Sequence, residues 1–272
     1  MNTHQPCKIF TMKQRILAAL IFVLLPLASY SQLNYLGLQQ ELTPPLGDGF
    51  YTLRPEIQVI DNFLYVPTFS GIYRKQLDAG TDLWEPYAFT GQPIRDFVKS
   101  GNRLLAITNK VQDSLLLLSE DNGSTYSDNT SAHFTSESFN RVYRIAQNRQ
   151  NPNSILVLHL AYGLSKSTDF GESWTSLNSY NGGFQERFVD FHPTDSLTIH
   201  YGGETEFYSG YIQHTSDGGQ SWSLAHLSDN NCVHYITAHP DNPDLLLCAS
   251  EGRISRSLDR GATWQEPFWV EG

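Results

Sequence analysis

The sequence contains little charge, few basic residues and little cysteine. Only 17% of its 272 residues are charged, below the roughly 25% that is usual for soluble domains. The 18 lysines and arginines face 28 acidic residues, which gives a formal charge of −10. Nucleic acid and anionic membranes would repel so acidic a surface. We therefore expect neither as a partner.

Cysteine and histidine are too sparse to form a recognisable metal motif. Of the three cysteines, Cys7 lies in the N-terminal segment, so Cys232 and Cys248 remain in the body of the chain. The sequence has no H-E-x-x-H and no paired C-x-x-C, so we predict no metal and no cofactor. A disulfide between Cys232 and Cys248 and a pair of buried thiols are both compatible with the sequence.

The chain has one long apolar run, and it lies near the N-terminus. "ILAALIFVLLPLA" follows the basic "MKQR" at 12–15 and precedes "SYS", which ends at Ser31. The run is too short to span a bilayer comfortably, so we interpret residues 1–31 as a signal peptide starting at Met12. A retained anchor helix is the alternative. After removal of the signal, residues 32–272 would be secreted or held at the cell surface or in the periplasm, without membrane insertion.

A short phrase recurs along the rest of the chain. "STDFGESW" at 167–174 returns as "TSDGGQSW" at 215–222 and "SLDRGATW" at 257–264, and looser copies surround Asp78 and Asp121. The five aspartates are separated by 43, 48, 48 and 42 residues. Each interval contains four short runs rich in β-branched and aromatic residues, separated by turn residues. Four strands in each repeat of about 45 residues predict an all-β fold, a β-propeller of four-stranded blades.

The phrase is placed where the third strand of a blade must reverse into the fourth. An aspartate can accept hydrogen bonds from its own turn, glycine permits positive φ, and tryptophan packs its large face between sheets. We therefore assign a structural role to the aspartates and to the glycines and tryptophans that accompany three of them: Asp78, Asp121, Asp169, Gly171, Trp174, Asp217, Gly219, Trp222, Asp259, Gly261 and Trp264.

The tandem S-x-D-x-G-x-[ST]-W phrase resembles the Asp-box, or BNR, repeat of sialidase and sortilin-like propellers. The "HPDNPD" and "GLSKSTD" elements are similar to those of the sortilin N-terminal domain, bacterial xyloglucanases and photosystem II assembly-factor-like propellers. The resemblance covers essentially all of residues 33–272. It implies a propeller, but it leaves function open because this scaffold carries enzymes, receptors and assembly factors.

Five blades can be counted, and one strand is left over. "LNYLGLQQ" at 33–40 has the pattern of an outer strand, with Tyr35 at the place of the tryptophan. In closed propellers such a strand often completes the last blade. We expect either a five-bladed ring with an extra strand or, in preference, a chain that continues beyond residue 272 into a sixth or seventh blade.

Binding residues are expected at the end of the propeller opposite the aspartate turns. Arg95, Arg187 and His234 hold equivalent places near the starts of innermost strands, and Arg144 and Tyr162 lie near the same end. We predict a non-catalytic module that binds a glycan or protein partner there.

A secreted, sialidase-like glycoside hydrolase is the alternative. Such an enzyme needs an arginine cluster, an acid and a tyrosine nucleophile activated by a glutamate. The stretch "GGETEFYSGY" at 202–211 supplies the catalytic candidates as one predicted loop: Glu204, Glu206, Tyr208 and Tyr211.

Overall fold

The computed structural model describes residues 57–78, 83–110, 114–130, 134, 142–159, 163–178, 183–205, 209–226, 232–250, 253–265 and 268–269. Within them the chain forms 20 β-strands in five antiparallel sheets of four strands. Each sheet uses four consecutive strands in the order in which they occur in the sequence. The predicted all-β fold and the predicted four-stranded blades are confirmed.

The five blades divide the described chain into similar units. Blade 1 contains β1 (Gln58–Ile60), β2 (Phe63–Thr68), β3 (Gly71–Gln76) and β4 (Glu85–Ala88). Blade 2 contains β5 (Ile94–Ser100), β6 (Arg103–Thr108), β7 (Leu116–Ser119) and β8 (Ser127–Asp128). Blade 3 contains β9 (Val142–Gln147), β10 (Ile155–His159), β11 (Gly163–Ser167) and β12 (Thr175–Asn178). Blade 4 contains β13 (Gly183–His192), β14 (Asp195–Thr205), β15 (Gly210–Thr215) and β16 (Ser223–His226). Blade 5 contains β17 (Val233–His239), β18 (Asn242–Ser250), β19 (Arg253–Ser257) and β20 (Phe268–Trp269).

The aspartate turn joins the third and fourth strands of a blade, as the sequence predicts. In blade 3 the carboxylate of Asp169 accepts hydrogen bonds from the backbone N–H of Ser173, at 2.9 Å, and from its hydroxyl, at 2.5 Å. The Ser167 hydroxyl donates to Asp169 at 2.7 Å and accepts from the Gly171 N–H at 2.7 Å. Trp174 closes the turn by donating from Nε1 to the Gly171 carbonyl at 3.1 Å.

The same bonds recur in the other blades. Asp217 and Asp259 accept from the residue four positions later through both its N–H and its hydroxyl, as does Asp121 in the looser second copy. Trp222 and Trp264 donate to Gly219 and Gly261 at 3.1 Å. In blade 1 the carboxylate of Asp78 accepts from Asn62 Nδ2 at 2.9 Å, and residues 79–82 of that turn lie outside the described part.

Apolar cores lie between consecutive blades. Blades 1 and 2 meet around Tyr65 and Phe97, and blades 2 and 3 around Leu105 and Ile145. Blades 3 and 4 bury Leu156 against Val189, and blades 4 and 5 bury Phe188 and Ile212 against Leu246. The tryptophan that opens the outer strand packs against the core between its own blade and the preceding one, as Trp174, Trp222 and Trp264 show. The recurring phrase therefore fastens each blade to the previous one.

The two cysteines are buried thiols and are not joined by a disulfide. Cys248 lies on β18 and Cys232 immediately precedes β17. Burial, reinforced by the neighbouring Cys232, raises the pKa of Cys248 to about 12, so this thiol stays protonated. The signal-peptide prediction concerns residues outside the described part. Within that part, no helix combines the length and hydropathy that a bilayer span requires.

Candidate functional site

The innermost strands of the five blades surround a common cavity of about 620 Å³. Its wall is built by β1, β5, β9, β13 and β17, the first strand of every blade. This arrangement is the central channel of a β-propeller. The residues that line it are Ile57–Ile60, Phe97–Lys99, Arg144–Gln147, Arg149, Phe188–Asp190, Tyr235 and Ile236.

Cations outnumber anions on the channel wall. Lys99, Arg144 and Arg149 line it together with one carboxylate, that of Asp190. This balance opposes that of the whole chain, whose formal charge is −10. A concave wall with excess positive charge favours an anionic group inside it, because a recessed site concentrates the field of its charges.

One of these cations is held by a buried carboxylate. Arg144 Nη1 lies 3.6 Å from Asp96 Oδ2, and the side chain of Asp96 is 2% exposed. Gln58 Nε2 donates to the Phe97 carbonyl at 2.7 Å and lies 3.4 Å from Asp96 Oδ1. Blades 1, 2 and 3 therefore share a polar contact beside the channel. Arg144, one of the binding residues predicted from the sequence, is placed in the cavity wall.

Arg95, Arg187 and His234 do occupy equivalent places. In blades 2 to 5 the pairing of the innermost strand with the second strand shifts register near the start of the innermost strand, and these three residues lie at that shift in blades 2, 4 and 5. Tyr143 lies at the same place in blade 3. Such bulges redirect a side chain at the end of a strand. Tyr143 was missed, although it stands two residues before the buried Ile145, the same spacing that identified the other three.

These residues contact side chains of their own hairpin or of the next blade and do not line the central cavity. Arg95 Nη2 donates to Asn109 Oδ1 at 2.6 Å, and its guanidinium lies 5.0 Å from the ring centre of Tyr143. Arg187 Nη2 lies 3.6 Å from Glu204 Oε2. His234 is exposed on β17. None of the three lines the central cavity.

The catalytic candidates are distributed differently from the single loop that the sequence predicted. Glu204 lies on β14 and Tyr211 on β15, and the two strands pair as a hairpin. Tyr211 is fully buried, with its ring edge-on to Tyr201, 6.5 Å between centres. Its side chain is therefore part of the core, and the catalytic assignment of Tyr211 stays a prediction. Glu206, Tyr208 and Tyr162 lie outside the described residues.

A second cavity of about 320 Å³ extends the channel toward the end that carries the aspartate turns. It shares Arg149, Asp190, Tyr235 and Ile236 with the channel. Pro193 and Pro240, in the turns that precede β14 and β18, and Pro243 on β18 complete it. The sequence prediction placed the site at the opposite end. Among the described residues, both cavities are instead lined mainly by residues of the first strands and of the turns that directly follow them. Alternation along a strand could have identified Lys99, but Arg149 follows the end of β9 and carries no sequence signal.

Six carboxyl groups of the described part have a pKa below their ordinary value, those of Asp121, Asp128, Asp169, Asp195, Asp217 and Asp259. For Asp169, burial alone raises the pKa, but the hydrogen bonds from Ser173 and Ser167 outweigh it and hold the pKa low. No cluster of three His, Cys, Asp or Glu side chains in the described ranges could hold a metal ion.

Solved structures with a similar fold are propeller proteins of several kinds. The extracellular domain of BT4673 from B. thetaiotaomicron matches 82% of this chain with a TM-score of 0.58 and 16% identity. A GH74 xyloglucanase from Xanthomonas campestris matches 77% with a TM-score of 0.55 and 15% identity. A chain of a nidogen/laminin complex matches 78% with a TM-score of 0.53 and 10% identity. At these identities the likeness establishes the fold alone.

The chain corresponds to only part of two of these proteins. It covers 29% of the BT4673 chain and 37% of the xyloglucanase chain, against 77% of the chain from the nidogen/laminin complex. No protein-family model and no curated protein sequence matches the chain.

Proposed function

We propose that this protein is an exported propeller module that binds a protein or glycan partner without turning it over. The partner places an acidic group in the central channel. The observation that carries this proposal is the wall of the 620 Å³ cavity in an otherwise acidic protein: Lys99 and Arg149 line it with Asp190, and Arg144 lines it while paired with the buried Asp96. Lys99 belongs to blade 2 and Arg149 to blade 3, so side chains from two neighbouring blades can bind one anionic group.

Channel geometry favours binding by a protruding group over a flat contact. Concave sites lined by a few placed polar groups are typical of ligand recognition. The exposed apolar wall residues Ile57 and Val59 provide contact area, and the cations provide orientation. A peptide with an acidic side chain and an acidic oligosaccharide both satisfy this chemistry.

Export and Asp-box membership are part of the same proposal. The apolar run at 16–28 supports a cleaved signal, and the turn of Asp169 supports the Asp-box assignment through its hydrogen bonds. One of the structural neighbours is an extracellular domain. An exported protein would meet its partner at the cell surface or in the periplasm.

The test is calorimetric titration of the protein with acidic peptides and with uronic- or sialic-acid oligosaccharides. We expect binding that weakens with salt and falls at least tenfold in Arg149→Gln and Lys99→Gln. Lys75→Gln is the matched control, because Lys75 lies on β3 and outside the cavity wall. Binding that is equally strong in all three variants would refute the channel as the site.

A glycoside hydrolase is the second candidate, and one pair of residues favours it. Glu204, whose side chain is largely buried, lies 3.6 Å from Arg187 on the neighbouring strand, so an acid and an arginine are adjacent. The GH74 xyloglucanase shows that a similar fold can accompany glycan chemistry in another protein. Hydrolysis of any oligosaccharide in the panel that is lost in Glu204→Gln would replace the binding proposal.

A further inference from the structure

The second cavity, of about 320 Å³, lies between the turns that join the first two strands of blades 4 and 5. Its wall on blade 4 contains Pro193, and its wall on blade 5 contains Pro240 and Pro243. Ile236 and Ala238 line it from β17 and pack in the core that blade 5 shares with blade 4. The cavity is therefore a feature of the contact between these two blades, on the side of blade 5 that faces blade 4. We call it the proline pocket, after these five residues.

A buried hydrogen bond fixes the distance between the two walls of the proline pocket. His192, at the end of β13, is 3% exposed, and its Nε2 lies 2.7 Å from the Pro243 carbonyl. A carbonyl oxygen can only accept, so Nε2 carries the ring proton and Nδ1 is left to accept from the Thr194 N–H at 3.4 Å. The turn of blade 4 is thus tied to the start of β18. A ligand enters walls that are already in place, which favours binding.

The five residues of the proline pocket supply no side-chain hydrogen-bond donor. Proline also lacks the backbone N–H that other residues would offer. A sugar hydroxyl buried against this wall would lose its hydrogen bonds to water without replacement, which is costly. An apolar side chain has no such bonds to lose and gains from the removal of its surface from water. The pocket therefore favours an apolar side chain over a sugar.

A cation lies where the proline pocket meets the channel. Arg149 lines both cavities and is exposed. It forms no ion pair with any described residue, because the arginine ion pairs of that part of the chain are those of Arg74, Arg103, Arg144, Arg187 and Arg260. The guanidinium of Arg149 can therefore bind a carboxylate that a partner brings.

Asp190 lines both cavities as well and supplies hydrogen-bond acceptors. Its Oδ1 accepts from the Phe191 N–H at 2.8 Å, and a carboxylate has about four acceptor positions in all. The backbone N–H groups of a peptide match such an acceptor, whereas a fatty acid has no donor to offer. The combination of an apolar pocket, a cation and an acceptor suits a peptide.

We infer that the partner is a protein that inserts an extended segment carrying an acidic residue and, two positions away, an apolar residue. The acidic residue pairs with Arg149 in the channel, and the apolar side chain fills the proline pocket. Alternate side chains of an extended segment point to the same side, roughly 7 Å apart, so both can enter two contiguous cavities. This inference rests on the proposed function, because Arg149 is also the cation that the proposed function assigns to the acidic group.

Calorimetric titration of the protein with capped glycine-serine hexapeptides tests the apolar contact. One peptide carries aspartate and phenylalanine separated by one residue, and in the second peptide serine replaces the phenylalanine. The aspartate–phenylalanine peptide should bind about tenfold to a hundredfold more tightly, the factor that burial of one large apolar side chain supplies. Pro243→Gln should remove most of this advantage and leave the affinity for the aspartate–serine peptide unchanged, because the neutral glutamine places a polar amide in the wall of the pocket.

Two further variants make the result specific. Pro240→Gln alters the same wall at an exposed residue, so it tests the pocket even where Pro243→Gln disturbs the bond to His192. Pro152→Gln is the matched control. Pro152 has the place of Pro243 in the corresponding turn of blade 3, since the residue after each accepts a backbone hydrogen bond from the aspartate turn, and it lines neither cavity. It should leave the affinity for both peptides unchanged.

The outcomes separate this inference from the proposed function. Equal affinities for the two peptides, both weakened by Arg149→Gln and Lys99→Gln, would overturn the proline pocket as a site and keep the acidic site in the channel. A uronic-acid oligosaccharide that loses affinity in Pro243→Gln and Pro240→Gln would place a sugar in the pocket and overturn the peptide. Absence of binding by every peptide and oligosaccharide would overturn both proposals, as would binding that Arg149→Gln and Lys99→Gln leave unchanged.

Discussion

Arg144 and Asp96 form an ion pair at 3.6 Å between repeat-equivalent positions of neighbouring blades. Each follows the residue at which the innermost strand shifts register, Tyr143 in blade 3 and Arg95 in blade 2. The preceding residues also touch, through the Arg95 guanidinium over the Tyr143 ring. Two successive positions of the repeat thus link blades 2 and 3 through charged side chains, in addition to the apolar core that these blades share.

The first prediction concerns this pair. Arg144→Met should destabilise the protein by about 3 kcal/mol, because it leaves the buried Asp96 carboxylate without its cation. Asp96→Asn combined with Arg144→Met should recover most of that loss, since the charge is then absent from both sides. Urea unfolding followed by tryptophan fluorescence measures both. A double variant as unstable as Arg144→Met alone would contradict the ion-pair interpretation.

The aspartate turns explain why the architecture could be predicted from the sequence. Each turn is local: Asp169, Ser173 and Gly171 contact one another within a few residues, so spacing alone reveals them. Even the copy ending in Tyr126 forms the same bonds around Asp121, because those bonds use Ser119 and Thr125 and not the aromatic residue.

The site was less predictable because its residues meet only after the ring forms. Arg149 and Lys99 are separated by about one repeat and occupy different places in their blades, so no periodic signal pairs them. Tyr211 looked like part of a polar loop beside Glu204, yet strand pairing carries β15 into the core. Periodicity in the sequence identifies strands and turns. The direction of a side chain near a hairpin depends on the register in which the two strands pair, and periodicity does not reveal that register.

The second prediction concerns the hydroxyl residue that ends the third strand of a blade and accepts a hydrogen bond from the glycine of the turn. Ser167→Ala should cost about 1–3 kcal/mol, because the Gly171 N–H, which donates to Ser167 at 2.7 Å in a buried turn, loses its acceptor. Ser167→Thr should retain stability, since Thr215 accepts from Gly219 in the same way in blade 4. Equal losses in the alanine and threonine variants, measured by thermal unfolding, would contradict the hydroxyl's role.

The third prediction separates backbone strain from steric overlap. Gly261 has φ +88°, and a Cβ there would lie 2.2 Å from His200 Nε2. Gly91 has φ +81° with open space around its Cβ position. Gly91→Ala should therefore cost about 1–2 kcal/mol from φ alone, and Gly261→Ala a further 1–3 kcal/mol or so from overlap. Equal urea midpoints for the two variants would show that the contact between blades 4 and 5 accommodates the added Cβ without a loss of stability.

The fourth prediction concerns acid stability, which His200 should limit. His200 Nε2 lies 2.7 Å from the Arg260 carbonyl and 3.1 Å from His214 Nδ1, in the contact between blades 4 and 5. Burial, followed by repulsion from His214, lowers the pKa of His200 from 6.5 to about 3. Between about pH 6.5 and pH 3, His200 therefore binds a proton in the unfolded chain and stays neutral in the folded protein. Stability is complete above about pH 6.5 and declines as the pH falls toward 3.

Substitution by the residue that the repeat uses elsewhere tests this assignment. Leu105 and Leu156 occupy the place of His200 in blades 2 and 3, so His200→Leu should fit the same contact. Urea midpoints measured from pH 8 to pH 4 should fall less steeply in His200→Leu than in the natural protein. A remaining slope is expected from His214, whose pKa burial also lowers. An unchanged slope in His200→Leu would place the acid sensitivity elsewhere, for example in the aspartates whose pKa the turn hydrogen bonds lower, such as Asp169 and Asp217.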